Sequence, residues 1–175
     1  GMVLTNNPDL YEKLIRLRSH GITRNPEFMQ GDSDGPWYYQ QIELGYNYRM
    51  TDIQAALGTS QMNRIDEFVK RRHHLAARYS EQLSGSPIIT PWQNPDCYSA
   101  WHLYVIQVDP QQRRRIFEEL RGHDIGVNVH YIPVHTQPYY QRLGFSQGDF
   151  PEAEKYYQAA ISLPMYYTLT DEQQD

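Results

Sequence analysis

The chain has 175 residues, of which 39% are hydrophobic and 13% aromatic, with a formal net charge of −5. This composition excludes a disordered chain and predicts a packed core belonging to one ordinary domain or to parts of two. The acidic balance leaves no basic footprint for nucleic acid, the single Cys97 cannot form an internal disulfide, and no apolar run reaches the roughly 18 residues of a membrane span.

Compartment follows from the same features. A lone cysteine fits a reducing compartment, and the apolar stretch from Gly1 to Thr5 is too short for a signal peptide. A cytoplasmic location is therefore predicted. The pair Gly1-Met2 is either left from an expression tag placed ahead of a start methionine or part of the native sequence.

The chain opens with a predicted short strand, Met2 to Thr5, followed by a helix. Asn7 supplies an N-cap and Pro8 a proline at the first helical position, and the apolar pattern ends at about Arg18. Residues 20–49 then show little regular pattern, and loops of this length are usually functional or mobile. Three adjacent aromatics in this loop are expected to pack against other residues, which argues against disorder: Trp37, Tyr38 and Tyr39.

A second helix is predicted after this loop. Thr51 and Gln54 have the spacing of a capping box, and the helical pattern continues with a break near residues 58–62. Asn47 and Arg49 lie just ahead of this helix N-terminus, where free N–H groups and the helix dipole favour anions. The residues alone leave two interpretations open, an anion-binding corner or a well-capped helix after a tight loop.

The remaining pattern predicts a long helix and then a small α/β unit. Apolar residues recur at helical spacing from Ile65 to Leu83, and Ser84-Gly85-Ser86-Pro87 ends that helix. Beyond it, strands are predicted at 102–108, 126–131 and 161–164, and helices at 111–121, 139–143 and 152–160. Thr170 opens a capped helix that stops after one turn, so a truncated domain is expected at both chain ends.

Two histidines form a second polar cluster. Pro133 forces an extended backbone before it, so His130 and His135 are expected to leave a strand end close together. A zinc pair is a weak interpretation because no cysteine or third ligand accompanies them. The open alternatives are a ligand pocket and packing inside the small domain.

Several separated motifs resemble one family in the same order along essentially the whole chain. They are GMVLTNNPDLYEKLIRLRSHGI, WYYQQIELGYNYRM, GYNYRMTDIQAALG, VNVHYIPVHTQPYY and ISLPMYYTLTDEQQD. This order is similar to that of the DegT/DnrJ/EryC1/StrS sugar aminotransferases, which use pyridoxal phosphate (PLP). SAWHLYVIQV and GVNVHYIPVH are most similar to the branch that serves pseudaminic acid biosynthesis, whose substrate is a UDP-linked 4-keto-6-deoxy hexosamine.

The resemblance implies an α/β fold, the C-terminal part of a PLP-dependent transferase of fold type I (aspartate aminotransferase-like). Residues 1–61 would be a remnant of the large PLP-binding domain, 62–85 a bridging helix and 86–175 the small C-terminal α/β domain. It further implies a homodimer that uses a UDP-sugar and an amino donor, with glutamate expected.

The resemblance also implies roles for individual residues. Asn47 would reach the cofactor phosphate of the other subunit, the alternative being an amide that braces its loop. Arg49 would clamp a substrate diphosphate or pair with a carboxylate such as Asp52 or Glu43. The sugar nucleotide would be lined by His130, Tyr131 and His135, while Tyr38 and Trp37 would stack on a uracil or sugar face or pack in the core.

One departure from the family concerns its PLP-bonding lysine. In the family this residue lies just before an acidic-Gly-Gly stretch, and this chain begins at what resembles the last glycine of that stretch. Lys13, Lys70 and Lys155 fall on the polar sides of predicted helices. The chain is therefore expected to be inactive alone and to bind PLP poorly, and no catalytic residue or metal ligand is assigned. The alternatives are a non-catalytic dimerising or sugar-nucleotide-binding module, and a metal hydrolase using the two histidines.

Overall fold

The computed structural model describes residues 3–175, and the chain divides into two compact units, Gly1–Met62 and Asn63–Asp175. The long helix belongs to the second unit. Its expected role as a bridge over 62–85, and the assignment of 1–61 to a large PLP-binding domain, stay predictions. Within the described residues, no helix combines the length and apolar character needed to cross a membrane.

The first unit contains two helices, α1 (Pro8–Leu17) and α2 (Asp52–Met62), and the short antiparallel strands β1 (Ile22–Thr23) and β2 (Gln40–Gln41). The predicted N-cap is confirmed, because the Asn7 side chain accepts from the backbone N–H groups of Asp9 and Leu10 at 2.9 and 3.1 Å. The predicted strand at the chain start is wrong for residues 3–5, which form no strand, and Met2 lies outside the described residues.

Helix α2 confirms the predicted capping box. The Thr51 N–H donates to the Gln54 side chain at 3.0 Å, and the Gln54 N–H donates to the Thr51 hydroxyl at 3.3 Å. The predicted break near 58–62 is present but displaced, because α2 continues to Met62 and the turn falls at residues 63–64. A single Gly58 costs a helix only about 1 kcal/mol, which is too little to end it.

The second unit confirms most of the predicted elements. In chain order they are α3 (Ile65–Gln82), β3 (Tyr104–Gln107), α4 (Arg113–Gly122), α5 (Pro138–Gln141), α6 (Pro151–Ala159), β4 (Ala160–Leu163) and α7 (Asp171–Gln174). Strands β3 and β4 pair antiparallel, with Ile106 opposite Ile161. The predicted strand over 126–131 is wrong: within it only Asn128 forms a bridge, to Ser162.

The core of the second unit lies between α3 and the β3–β4 pair. Ala76 and Tyr79 of α3 pack with Tyr104, Ile106 and Ile161, and α4 covers the cluster with its predicted apolar face, Ile116, Phe117 and Leu120. The Tyr79 hydroxyl donates to the Pro164 carbonyl at 2.9 Å, and burial raises the pKa of Tyr79 to about 12. Tyr79 therefore stays a neutral donor at physiological pH.

The short C-terminal helix α7 is fastened to α3 by polar contacts. Asp171 lies 2.8 Å from Arg71 and 2.9 Å from His74, and Asp175 pairs with Arg78. The hydrogen bond from His74 is the largest cause that lowers the pKa of Asp171. The predicted capping box of Thr170 and Gln173 is also present.

Candidate functional site

The segment that carries Asn47 is held against the C-terminal end of α1 by its main chain. Four backbone hydrogen bonds join the segment to residues 17–21, at and just after the end of α1: Ile42 N–H to Gly21 O, His20 N–H to Tyr46 O, Tyr46 N–H to Leu17 O and Tyr48 N–H to Arg18 O. The segment thus satisfies carbonyls that a helix end leaves without partners. The Arg16–Glu43 ion pair, at 2.8 Å and partly buried, adds a side-chain contact beside it.

Two glycines make this close approach possible. A Cβ on Gly45 would lie 2.1 Å from the Gly21 nitrogen, and one on Gly21 would lie 1.8 Å from the Glu43 oxygen. Gly21 also has a φ of 70°, a left-handed conformation that glycine adopts readily. Backbone packed this tightly places Asn47 at a defined position.

Asn47 and Arg49 are brought together at this corner. The Arg49 Nε donates to the Asn47 Oδ1 at 3.3 Å, and both residues are exposed. Among residues 3–175 the Asn47 Nδ2 has no hydrogen-bond partner, so its two N–H groups are available to an external acceptor. Tyr46 and Tyr48 stack on each other at 4.9 Å, as residues two apart in an extended segment do.

Neither carboxylate suggested as an alternative partner of Arg49 pairs with it in the described residues. Glu43 pairs with Arg16, and no carboxylate lies within ion-pair distance of Arg49 in the described part of the chain. The capping box already uses the N–H groups of Thr51 and Gln54, and Asp52 adds a negative charge to the first turn. The anion-binding capacity of the corner therefore depends on Asn47 and Arg49 more than on the helix N-terminus.

Of the three loop aromatics, only Tyr38 is half-buried. Trp37 and Tyr39 are 70% and 51% exposed, so the expectation that all three pack is wrong for these two. Tyr38 lines a shallow cavity of about 340 Å³ with Arg24, and its hydroxyl accepts from the Gln40 side chain at 3.1 Å. Trp37 remains available for stacking on a ligand.

The second predicted cluster divides between two elements. His130 Nδ1 lies 2.8 Å from the Ser162 hydroxyl of β4, and the ring packs edge-on against Tyr131 at 4.7 Å. Tyr131 is exposed. This pair offers an exposed aromatic ring beside an imidazole.

His135 contacts a different partner. It is buried in a single turn of 3-10 helix (Val134–Thr136), where its Nε2 lies 2.7 Å from the Glu154 carboxylate of α6. Glu154 also accepts from the Gly148 N–H at 2.6 Å, and the Phe150 ring packs on the imidazole at 4.8 Å. This geometry favours the packing alternative for His135, because the residue is buried and its Nε2 is engaged by Glu154. A substrate-lining role for it stays a prediction.

Sequence reasoning missed both partners, Ser162 and Glu154. They follow their histidines by 32 and 19 residues, and a serine in a strand or a glutamate in the first turn of a helix is ordinary in its local context. No local pattern marks either one.

The Glu154 contacts predict an acid-sensitive stability. The His135 hydrogen bond, followed by that from Gly148, holds the pKa of Glu154 below its ordinary value of 4.5. A carboxyl group whose pKa is lowered in the folded state stabilises that state at pH values above its pKa in the unfolded chain. This contribution is lost as the pH falls through the pKa that the group has in the folded state. The free energy of unfolding should therefore decrease below about pH 4.5.

Urea titrations of the chain between pH 3 and 6 would measure this dependence. Glu154→Gln should reduce the slope of the unfolding free energy against pH by the equivalent of at most about one bound proton. Asp171, whose pKa is also lowered, titrates in the same range, so a residual slope should remain and should fall further in Glu154→Gln/Asp171→Asn. An unchanged slope in Glu154→Gln would contradict the assignment.

The three lysines of the chain lie in similar surroundings. Lys13, Lys70 and Lys155 lie on α1, α3 and α6, and all three are exposed to solvent. A lysine that acts as a nucleophile is typically desolvated in an apolar pocket, and none of these three is. In the described residues, no group of three or more His, Cys, Asp and Glu is placed to hold a metal ion.

A family model, the DegT/DnrJ/EryC1/StrS aminotransferase family, matches residues 1–175. The chain belongs to this family. A curated relative, the spore coat polysaccharide biosynthesis protein SpsC of Bacillus subtilis, is 40% identical over all of this chain and 46% of its own length. A UDP-4-amino-4,6-dideoxy-N-acetyl-beta-L-altrosamine transaminase of Campylobacter jejuni is 33% identical over 97% of this chain and 43% of its own.

Solved structures of the family have the same fold. Spr1654 of Streptococcus pneumoniae in its PLP-form superposes with a TM-score of 0.82 at 29% identity, over 100% of this chain and 43% of that one. Helicobacter pylori PseC, an aminotransferase involved in the biosynthesis of pseudoaminic acid, gives a TM-score of 0.81 at 28% identity, over 97% and 44%. The predicted fold class, fold type I of the PLP-dependent transferases, is confirmed. The chain spans about half the length of the relatives it matches.

Proposed function

We propose that this chain is the C-terminal part of a PLP-dependent aminotransferase that acts on a UDP-linked 4-keto-6-deoxy hexosamine. The main support for this proposal is the family match over residues 1–175, together with the hydrogen bond that holds Asn47 next to Arg49. The relatives named as transaminases of a UDP-sugar and of pseudoaminic acid biosynthesis support the substrate class. The alternative is a dimerising or sugar-nucleotide-binding module without chemistry of its own.

The residues present fit the phosphate end of the cofactor. The Asn47 Oδ1 is engaged by Arg49, which leaves the Nδ2 hydrogens to donate to a phosphate oxygen. An amide donor adds no charge, while the adjacent guanidinium supplies one positive charge for a substrate diphosphate. When bound, PLP supplies the electron sink for amino-group transfer, and the protein supplies orientation.

The lysines of this chain do not fit the covalent end of the cofactor, because each is exposed. We therefore propose that the cofactor-bonding lysine belongs to a part of the enzyme outside these 175 residues. His130 and Tyr131 would contact the sugar nucleotide, with Tyr38 as a further contact. The amino donor is proposed to be glutamate, and the compartment the cytoplasm.

A homodimer is proposed from the surface of the first unit. Helix α2 is exposed along its whole length, with Ile53 85% and Leu57 62% exposed, and Leu44, Tyr48 and Met50 next to it are also exposed. Soluble monomers rarely expose contiguous apolar surface of this kind. A second subunit covering it would also bring Asn47 to the partner's cofactor.

Borohydride reduction in the presence of PLP tests whether a lysine of this chain bonds the cofactor. The purified chain is incubated with PLP and with borohydride, and the three lysine-containing peptides are analysed by mass spectrometry. We expect no specific, stoichiometric pyridoxyl adduct and no glutamate-dependent transamination. An adduct confined to one lysine, or turnover, would contradict the proposal that the covalent group lies elsewhere.

Calorimetry with UDP-N-acetylglucosamine tests the substrate class. Binding that weakens in Tyr131→Ala and is unaffected by Tyr156→Ala, a tyrosine on α6, would support a sugar-nucleotide site at the second cluster. Binding of Zn²⁺ at His130 and His135 with no nucleotide affinity would favour the hydrolase alternative instead.

A further inference from the structure

Ser162 is a buried polar residue whose hydroxyl has one partner. It is 3% exposed, in the middle of β4, and its backbone exchanges hydrogen bonds with Asn128 at 2.7 and 3.2 Å. Its neighbour Ile161 faces the core, so the Ser162 side chain points to the opposite face of the strand, where the segment carrying His130 crosses. A hydroxyl at such a position is costly unless it is hydrogen-bonded.

The direction of the Ser162–His130 hydrogen bond follows from this burial. In the described residues, the only acceptor within hydrogen-bond distance of the Ser162 hydroxyl is the His130 Nδ1, at 2.8 Å. If Nδ1 carried the proton instead, the buried hydroxyl hydrogen would have no acceptor and its desolvation would be uncompensated. The hydroxyl therefore donates to Nδ1, and the neutral ring carries its hydrogen on Nε2.

The Nε2 atom faces solvent. It makes no hydrogen bond within residues 3–175. Every buried side-chain nitrogen or oxygen in these residues has a hydrogen-bond partner, so an Nε2 without one is accessible to solvent. The exposed Tyr131 ring packs against the same imidazole. A fixed N–H donor beside an aromatic face can bind the oxygen of a sugar, a uracil or a phosphate.

We propose that Ser162 is a positioning residue that fixes the tautomer of His130, so that Nε2–H donates to an oxygen of the sugar nucleotide. This rests on the proposed substrate class. Ser162 itself touches no substrate in this arrangement and acts through His130.

The tautomer is read directly from the ¹⁵N chemical shifts of the His130 imidazole in the 175-residue chain, at about pH 8. We expect the Nε2–H tautomer in the unmodified chain, a mixture in Ser162→Ala, and recovery of the Nε2–H form in Ser162→Thr, which keeps a hydroxyl in the strand. Ser80→Ala, which removes a hydroxyl bonded to Tyr104, is the matched control and should leave His130 unchanged. An Nδ1–H tautomer in the unmodified chain, or no change in Ser162→Ala, would overturn the proposal.

Affinity for UDP-N-acetylglucosamine, measured on the same proteins, separates this proposal from the function on which it rests. Ser162→Ala should weaken binding about five- to tenfold, because the imidazole loses its fixed orientation as well as its single tautomer, with Ser162→Thr and Ser80→Ala within about twofold of the unmodified chain. A tautomer change without a change in affinity would overturn the role of Ser162 in substrate binding. No affinity in the unmodified chain, with the tautomers as expected, would overturn the sugar-nucleotide function while supporting the Ser162–His130 pair.

Discussion

Gly45→Ala is expected to release the Asn47 segment from the end of α1. The added Cβ would lie 2.1 Å from the Gly21 nitrogen and 2.9 Å from the Leu17 carbonyl oxygen, both main-chain atoms that cannot rotate away. Overpacking of this kind costs about 1–3 kcal/mol. Amide hydrogen exchange of Tyr46 and Tyr48, which donate to the carbonyls of Leu17 and Arg18, should therefore accelerate roughly 5- to 150-fold.

Gly58→Ala is the matched control for this experiment. Gly58 lies within α2, and nothing approaches the position of its added Cβ within 4 Å. Alanine there should stabilise the helix by about 0.5–1 kcal/mol and leave the Tyr46 and Tyr48 amides unchanged. Equal exchange in Gly45→Ala and the unmodified chain would show that the close glycine contact does not hold the corner.

Leu75→Ala should produce a large loss of stability in the second unit. Leu75 of α3 is 0% exposed, so truncation removes buried apolar surface and leaves a cavity. Leu→Ala changes at such sites cost about 2–5 kcal/mol. The midpoint of urea unfolding should fall accordingly while the denaturant slope stays unchanged.

The measurement requires a signal confined to the second unit. Trp101, which packs against the core, serves as the only reporter when Trp37 and Trp92 are replaced with phenylalanine. Leu143→Ala is the control, since Leu143 is 61% exposed in the same unit and should change stability by less than about 0.5 kcal/mol. Similar losses in the two variants would contradict the assignment of Leu75 to the core.

Helix caps were predictable because their contacts are local. Asn7, Thr51 with Gln54, and Thr170 with Gln173 each bond within three residues, so the residue types and spacing suffice. The apolar positions of α3 and α4 were predictable for a related reason, since helical periodicity decides which face packs. The predicted strand at 126–131 failed because a strand exists only where a partner pairs with it, and only Asn128 pairs there.

Sequence resemblance nominated the candidate site residues, but it left their environments open. Asn47 and Arg49 were expected at the same corner because they are two residues apart, and they do contact each other. Whether Arg49 pairs with Glu43 depended on a third residue, Arg16, which lies 27 positions from Glu43 and engages it first.

Taken alone, the sequence determined the family, the capped helices and the apolar face of α3, because these depend on residue order and short-range spacing. Only the tertiary structure decided the surroundings of the two histidines. Burial in the second unit joins His135 to Glu154 and His130 to Ser162 across 19 and 32 residues of chain. The physical reason is that a buried polar group must find a partner wherever the fold supplies one, and no local pattern specifies that partner.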